Sequence, residues 1–208
     1  MERSVSAKRS LIMTLAVAPT GPVRLSVPGR TLVLVAGIPG AGKSTLLAGV
    51  TPRPGLAVLD SQRYRDVLAR RLPPGTPYRC YRPLVHLLHR LAIVRAALLG
   101  AATVLVHLPA TGAVLRTAVM VLAVVTGRAA HLVWFDVDPA DALCGQSERG
   151  RLVRSGSFAR HARRATRVAR RLRSGERPPG WADVVVLGRS AARRGLILDT
   201  DTPVDEHK

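Results

Sequence analysis

Aromatic residues are scarce in this 208-residue chain. Two Phe, two Trp and three Tyr make up 3% of it, so any core must be built mainly from aliphatic side chains. Acids are scarce too: 13 Asp and Glu face 32 Lys and Arg, a formal net charge of +19. Lysine is almost missing from that basic set. Lys8, Lys43 and Lys208 are three of the 32, which leaves 29 arginines and fits coding bias in a GC-rich genome as well as it fits function. The positive surface favours polyanions such as nucleotides, nucleic acid or phosphorylated metabolites. Cys80 and Cys144 match no metal-ligand spacing and read as two buried thiols in a reducing compartment. No stretch reaches the roughly 20 apolar residues that span a bilayer. The closest, 117–126, is shorter and follows Arg116, so it reads as a buried helix and no membrane partner is expected.

What remains suits a globular domain, alone or with a small lid. Hydrophobic residues are 47% of the chain, enough for a sizeable core. Near the N-terminus, Lys8-Arg9 followed by the apolar run 11–18 imitates a short secretory signal. A flexible extension, or a translation start at Met13, explains the same residues. Residues 1–29, punctuated by Pro19, Gly21, Pro22, Pro28 and Gly29, are expected to form an irregular extension. The domain proper is expected over 30–200, and 201–208 is expected to be a loose polar tail.

One segment carries specific chemistry. Gly37-Ile38-Pro39-Gly40-Ala41-Gly42-Lys43-Ser44 matches the phosphate-binding pattern G-x-x-x-x-G-K-[ST] at every fixed position. The run Thr31 to Ala36 before it is continuous, apolar and rich in β-branched residues, as a strand buried on both faces requires. A helix is expected to begin with Thr45-Leu46-Leu47-Ala48. Glycines let such a loop curl so that successive N–H groups face a phosphate chain. Lys43 would reach the β- and γ-phosphates, and the Ser44 hydroxyl would hold Mg²⁺. A glycine-rich turn matching by chance lacks that strand-and-helix context.

Further strands are expected at 56–60, 102–107, 130–137 and 183–187, with helices over 61–72, 84–99 and 114–125. In the 84–99 helix, Leu84, Leu87, Leu88, Leu91, Val94 and Leu98 fall at helical spacing and read as its apolar face. Strands alternating with helices imply an α/β fold around a parallel sheet, whose ligands bind at the carboxyl ends of the strands. Between Arg149 and Arg173 stand ten arginines and no acid. Arg160, Arg163, Arg164, Arg167, Arg170 and Arg171 stack on one helical face, with Phe158, Ala162, Ala165, Ala169 and Leu172 opposite. That face reads as a solvated surface or as a lid. Arg149 and Arg151, just before it, suit the charge of a transferred phosphoryl group.

Together these segments resemble the small P-loop kinases that include polynucleotide-kinase-like, gluconate-kinase-like and zeta-toxin-like proteins. Bacterial sequences labelled ATP-binding protein or AAA-family ATPase are the nearest of that group. The resemblance covers about residues 30–198. It rests on 37–45, Leu59-Asp60-Ser61 with Arg65, Tyr81 to His86 with His89, Gly145-Gln146-x-x-Arg149-Gly150-Arg151, and Ser157 to His161. It implies a five-stranded P-loop sheet of order 2-3-1-4-5, an arginine-rich lid over about 146–174, and ATP with Mg²⁺ as cofactors. Nucleotide contacts then fall on Gly37, Ile38, Pro39, Gly40, Ala41, Gly42, Lys43, Ser44 and Thr45. A hexameric unfoldase is not implied, because the chain is too short for the usual helical subdomain.

Two departures from the group stand out. Polynucleotide-kinase-like relatives carry an acid two residues beyond Asp60, where this chain has Gln62. The strand ending at His107 lacks the acid that would face magnesium. Acid chemistry therefore falls on Asp60, as general base or metal ligand with Ser44, against the alternative that it caps the next helix. Asp138 before Pro139 reads as a helix cap. Asp136 stays ambiguous between a structural and a chemical role. His86 and His89 read as structural, and His107, at the carboxyl end of a strand, is equally suited to orienting a ligand. The expected function is a cytoplasmic ATP-dependent kinase acting on a small-molecule or polynucleotide hydroxyl, with Lys43, Asp60, Arg149 and Arg151 as catalytic residues. The alternatives are a degenerate nucleotide switch or slow ATPase, and a nucleic-acid-binding module.

Overall fold

The computed structural model describes residues 21–147 and 155–201. Five parallel strands form the central sheet: β2 (Thr31–Gly37), β3 (Leu56–Leu59), β4 (Thr103–His107), β5 (Ala129–Phe135) and β6 (Asp183–Leu187). Their order is β3-β4-β2-β5-β6, the predicted 2-3-1-4-5 arrangement. All seven residues of β2 are buried between β4 and β5. Pairing runs Thr31 to Thr103 and Ala129, and Gly37 reaches Phe135, so the ends of β2, β4 and β5 meet at one edge. The core is aliphatic except for a few rings, chiefly Trp134 and Phe135 side by side on β5.

Helices cover the sheet: α1 (Lys43–Ala48), α2 (Ser61–Arg71), α3 (Tyr78–Leu99), α4 (Ala113–Val125), α5 (Pro139–Ser147), α6 (Ser155–Arg173) and the short α7 (Ala191–Arg194). In α6 the sorting of faces is as expected. The six arginines of the stacked face, Arg160 to Arg171, are exposed, while Phe158, Ala165, Ala169 and Leu172 are buried.

Five expectations are corrected. The extension is not irregular throughout: Val23–Pro28 is a strand, β1, paired in parallel with β7 (Leu196–Asp201), Val23 opposite Leu196. Its alternation explains this, since Val23, Leu25 and Val27 are buried and Arg24 and Ser26 exposed. Second, α3 begins at Tyr78 and runs through Pro83, which forfeits one backbone hydrogen bond in its second turn. A Tyr78–Tyr81 edge contact and the Arg65 guanidinium over Tyr78 brace that turn.

Third, the leucine face of α3 points outward. Val85, His89, Ile93 and Ala97, spaced by four, are buried, whereas Leu84, Leu87, Leu91, Val94 and Leu98 are 40–60% exposed. The helix carries two apolar stripes, and the one with smaller residues lets it lie close to β3 and β4. Fourth, α4 is a surface helix rather than a buried one. Only Val119 and Ala123 are buried, and Val114, Val124 and Val125 face solvent. Both thiols are exposed as well. Among the described residues no helix is long and apolar enough to cross a membrane.

Buried Arg128 ties these layers together. Its guanidinium donates to the carbonyls of Ala97, Ala101 and Ala102 at 2.8–3.0 Å, capping the end of α3 from the start of β5. Replacing Ile93 with Ala should cost about 2–5 kcal/mol in urea unfolding through the cavity it leaves. Leu87→Glu on the outer stripe should stay within about 0.5 kcal/mol, a contrast that reads out which stripe faces the sheet.

Candidate nucleotide-binding site

The loop after β2 is positioned by backbone geometry that only glycine supplies. Gly40 and Gly42 have φ of 92° and 96°, and Gly42 is the N-cap of α1. Ile38 and Ala41 bury their side chains in the core, so they offer the site only backbone. Lys43 is 4% exposed, and its ammonium donates to the carbonyls of Gly37 and Ile38 at 2.9 and 2.6 Å. Thr45 lies on the exposed side of α1.

The loop is held from above by α5. A Cβ on Gly40 would fall 2.0 Å from the Ala142 carbonyl oxygen, and one on Gly145 would fall 2.8 Å from that of Gly40. Buried Gln146 donates from Nε2 to the Pro39 carbonyl at 3.0 Å. The Asp138 carboxylate accepts from Ala140 N–H at 2.8 Å, so it caps α5 as the sequence suggests. Asp136 resolves to a structural role, accepting both bonds of a bidentate pair from Arg173 at 2.7 and 2.9 Å.

Asp60, at the end of β3, does two things. It caps α2 by accepting from Gln62 N–H at 3.0 Å, and its Oδ1 lies 3.1 Å from His107 Nδ1. His107 Nδ1 is also 3.5 Å from Ser44 Oγ. Burial alone would raise the Asp60 pKa. The hydrogen bond and charge of His107 outweigh it, and with the Gln62 N–H and the Ser44 hydroxyl they hold the carboxyl well below its ordinary range. A carboxylate at Nδ1 keeps a proton on that nitrogen. His89, by contrast, is the structural histidine expected: buried, with Nε2 3.2 Å from the Leu59 carbonyl and its pKa lowered by burial.

These groups open into one cavity of about 790 Å³, lined by Lys43, Ser44, Arg65, Arg82, His107 and Gln146 among others. His161 on α6 bonds the Thr111 hydroxyl at 2.7 Å, which ties the arginine helix to the loop after β4. Its pKa is lowered by burial and then by Arg164, Lys43, Arg160 and Arg82; that of His86 is lowered by burial, Arg82 and Arg90. Lys43 of α1, Arg65 of α2 and Arg79 and Arg82 of α3 bring positive charge from three elements to this space. Arg149 and Arg151, and part of the expected lid, lie outside the described residues. The Gln146 contact, the His161 bridge and Arg116, which donates to the Ala110 and Thr111 carbonyls, are not among the sequence-based candidates. Gln146 had a signal in the resemblance. His161 had one too, in the Ser157 to His161 segment, but Arg116 and the pairing of His161 with Thr111 had none.

Residues 32–178 match the AAA domain family, well over half of the chain. The chain belongs to that family. Among solved structures this AAA domain is similar to a chain of the PezAT chromosomal toxin–antitoxin system of Streptococcus pneumoniae. Identity there is 13%, coverage is 83% of this chain and 72% of that one, and the TM-score is 0.52. It is also similar to the tunicamycin resistance protein of Deinococcus radiodurans, at 18% identity over 83% of this chain and 99% of that one, with a TM-score of 0.46. The first likeness shows the shared P-loop fold. No curated protein matches the sequence. The AAA domain is a nucleotide-binding P-loop domain, in line with the resemblance to small P-loop kinases.

Gly40→Ala should lose nucleotide binding in calorimetry and cost at least about 2 kcal/mol of stability, from the collision with Ala142 and the positive φ together. Because the folded-state pKa of Asp60 is depressed, its stabilising effect is complete above about pH 4 and drains away as pH falls toward the folded pKa. Thermal melts of Asp60→Asn between about pH 3 and 5 should therefore show a flatter acid limb than the parent protein.

Proposed function

We infer that this protein is an ATP-dependent kinase that transfers the γ-phosphoryl group to a hydroxyl acceptor. The observation that carries the reading is the placement of Lys43, Ser44 and His107 around a single cavity with room for a second ligand, with Asp60 behind them against His107. A protein that consumes ATP works where ATP is abundant, which suits the cytoplasm.

Lys43 now rests on two loop carbonyls. Exchanging them for phosphate oxygens trades neutral acceptors for charged ones, which strengthens the bonds. The loop amides add fixed donors that need no reorganisation during transfer. Magnesium fits the site: the Ser44 hydroxyl and the ionised Asp60 carboxylate are oxygen donors of the type it takes. Bound there with the nucleotide, it would neutralise phosphate charge.

Asp60 has little affinity for a proton, so in this reading it anchors His107 and the metal side rather than serving as the base. Phosphoryl transfer asks little of a base. The acceptor oxygen bonds to the γ-phosphorus, the bond from that phosphorus to the bridging oxygen breaks, ADP leaves with the electron pair, and the hydroxyl proton passes to water. Arg149 and Arg151, close after Gln146 in sequence, are assigned to the charge of the transferred group. A second reading, a nucleotide switch with negligible turnover, is favoured by one feature: the Asp60 carboxylate is already engaged by His107 and Gln62 N–H.

With labelled ATP, Mg²⁺ and an acceptor library, the kinase reading expects ATP consumption to rise at least about tenfold with the right acceptor, and to vanish in Lys43→Ala. Turnover that stays flat for every acceptor, with ATP binding intact, would leave the switch. Failure to bind ATP or GTP with magnesium would sink both.

A further inference from the structure

One wall of the cavity lies outside the phosphate loop and α1. It is built by α2 and α3 and carries Arg65, Arg79 and Arg82, with Tyr78 and His86 between them. The Arg65 guanidinium sits 4.4 Å over the Tyr78 ring, and Tyr81 meets that ring edge-on, so the first of these cations is pre-ordered. Arg82 donates from Nε to His86 Nε2 at 3.3 Å, which leaves the other nitrogens of its fork free of that bond.

Four arginines elsewhere in the fold meet carboxylates: Arg24 with Asp199, Arg171 with Glu176, Arg173 with Asp136 and Arg189 with Asp141. Among the described residues, Arg65, Arg79 and Arg82 form no such pair. The carboxylate closest in function, Asp60, is committed to His107 and Gln62. Three guanidinium groups and Lys43 around one concave space repel one another. A neutral alcohol would leave that repulsion in place. An anion removes it, and guanidinium forks match phosphate oxygens two at a time.

We propose that the acceptor is itself an anion: a small hydroxyl compound already bearing a phosphate group, which Arg65, Arg79 and Arg82 hold on the α2–α3 wall. This rests on the kinase reading for its use, but the binding site stands on its own geometry. The three arginines converge on a cavity instead of tracking along a surface, which favours a small molecule over a polynucleotide end.

The test uses the full chain saturated with Mg²⁺ and a non-hydrolysable ATP analogue, so that the phosphate loop is filled. Calorimetry then measures inorganic phosphate, glycerol 3-phosphate and ribose 5-phosphate against glycerol and ribose, with a 5′-hydroxyl oligonucleotide as a further arm. The phosphorylated probes should bind at least about tenfold more tightly than their neutral parents, and Arg79→Gln/Arg82→Gln should erase that difference. Circular dichroism and retained affinity for the ATP analogue show that the double variant is folded. Equal affinity for charged and neutral probes overturns the proposal, as does a preference that survives the double substitution. Tighter binding of the oligonucleotide than of every small phosphate would overturn it in favour of nucleic acid. Phosphorylated probes that bind without ever accepting a phosphoryl group would sustain the site and sink the kinase. Transfer to neutral alcohols alone would do the reverse.

Discussion

The parallel pairing of β2 with β4 on one side and β5 on the other is the constraint from which the site follows. It fixes where Gly37 ends, and hence where the loop must turn. It also sets His107 at the end of the neighbouring strand, with Asp60 one strand further on. Side chains from the ends of two strands, β3 and β4, therefore meet those of α1 although the three segments are far apart in sequence. A register shift of one residue along β4 would move His107 away from both Ser44 and Asp60.

The sheet was legible because its signals are local. Runs such as Thr31–Ala36 and Val184–Leu187 are apolar and rich in β-branched residues, as a strand buried in a parallel sheet requires. The glycine loop was legible for a related reason, since its conformation is demanded by residue type. What stayed hidden depends on partners. The two apolar stripes of α3 satisfy helical periodicity equally well, and only packing against β3 and β4 chooses between Leu87 and His89. The Val23–Val27 alternation is a fair strand signal, but its partner lies at Leu196, beyond the reach of any local pattern, and the surrounding Pro and Gly residues argue the other way.

The same division runs through the site. Residue types identified Lys43, Ser44 and Asp60 as chemically loaded, and left Asp60 between a chemical role and a helix cap, of which the structure shows the cap. The carboxylate caps α2 with one contact and holds His107 with another. His107 stands where a magnesium-facing acid would otherwise be expected. The exchange turns an acid-lined corner into a histidine–carboxylate pair, in a protein whose acids are few and whose cavity is otherwise cationic.

The pairing of β1 with β7 bears on how the chain is made. Arg24 and Asp199 are 175 positions apart and meet across these two strands. During synthesis the first strand must therefore wait, unpaired, until almost all of the described chain has followed it. Closing so long a loop is slow even where its final free-energy cost grows only gently with length. This two-stranded clasp is thus suited to being the last piece of regular structure to form. Until then the alternating residues of β1 present an open edge to any other strand nearby.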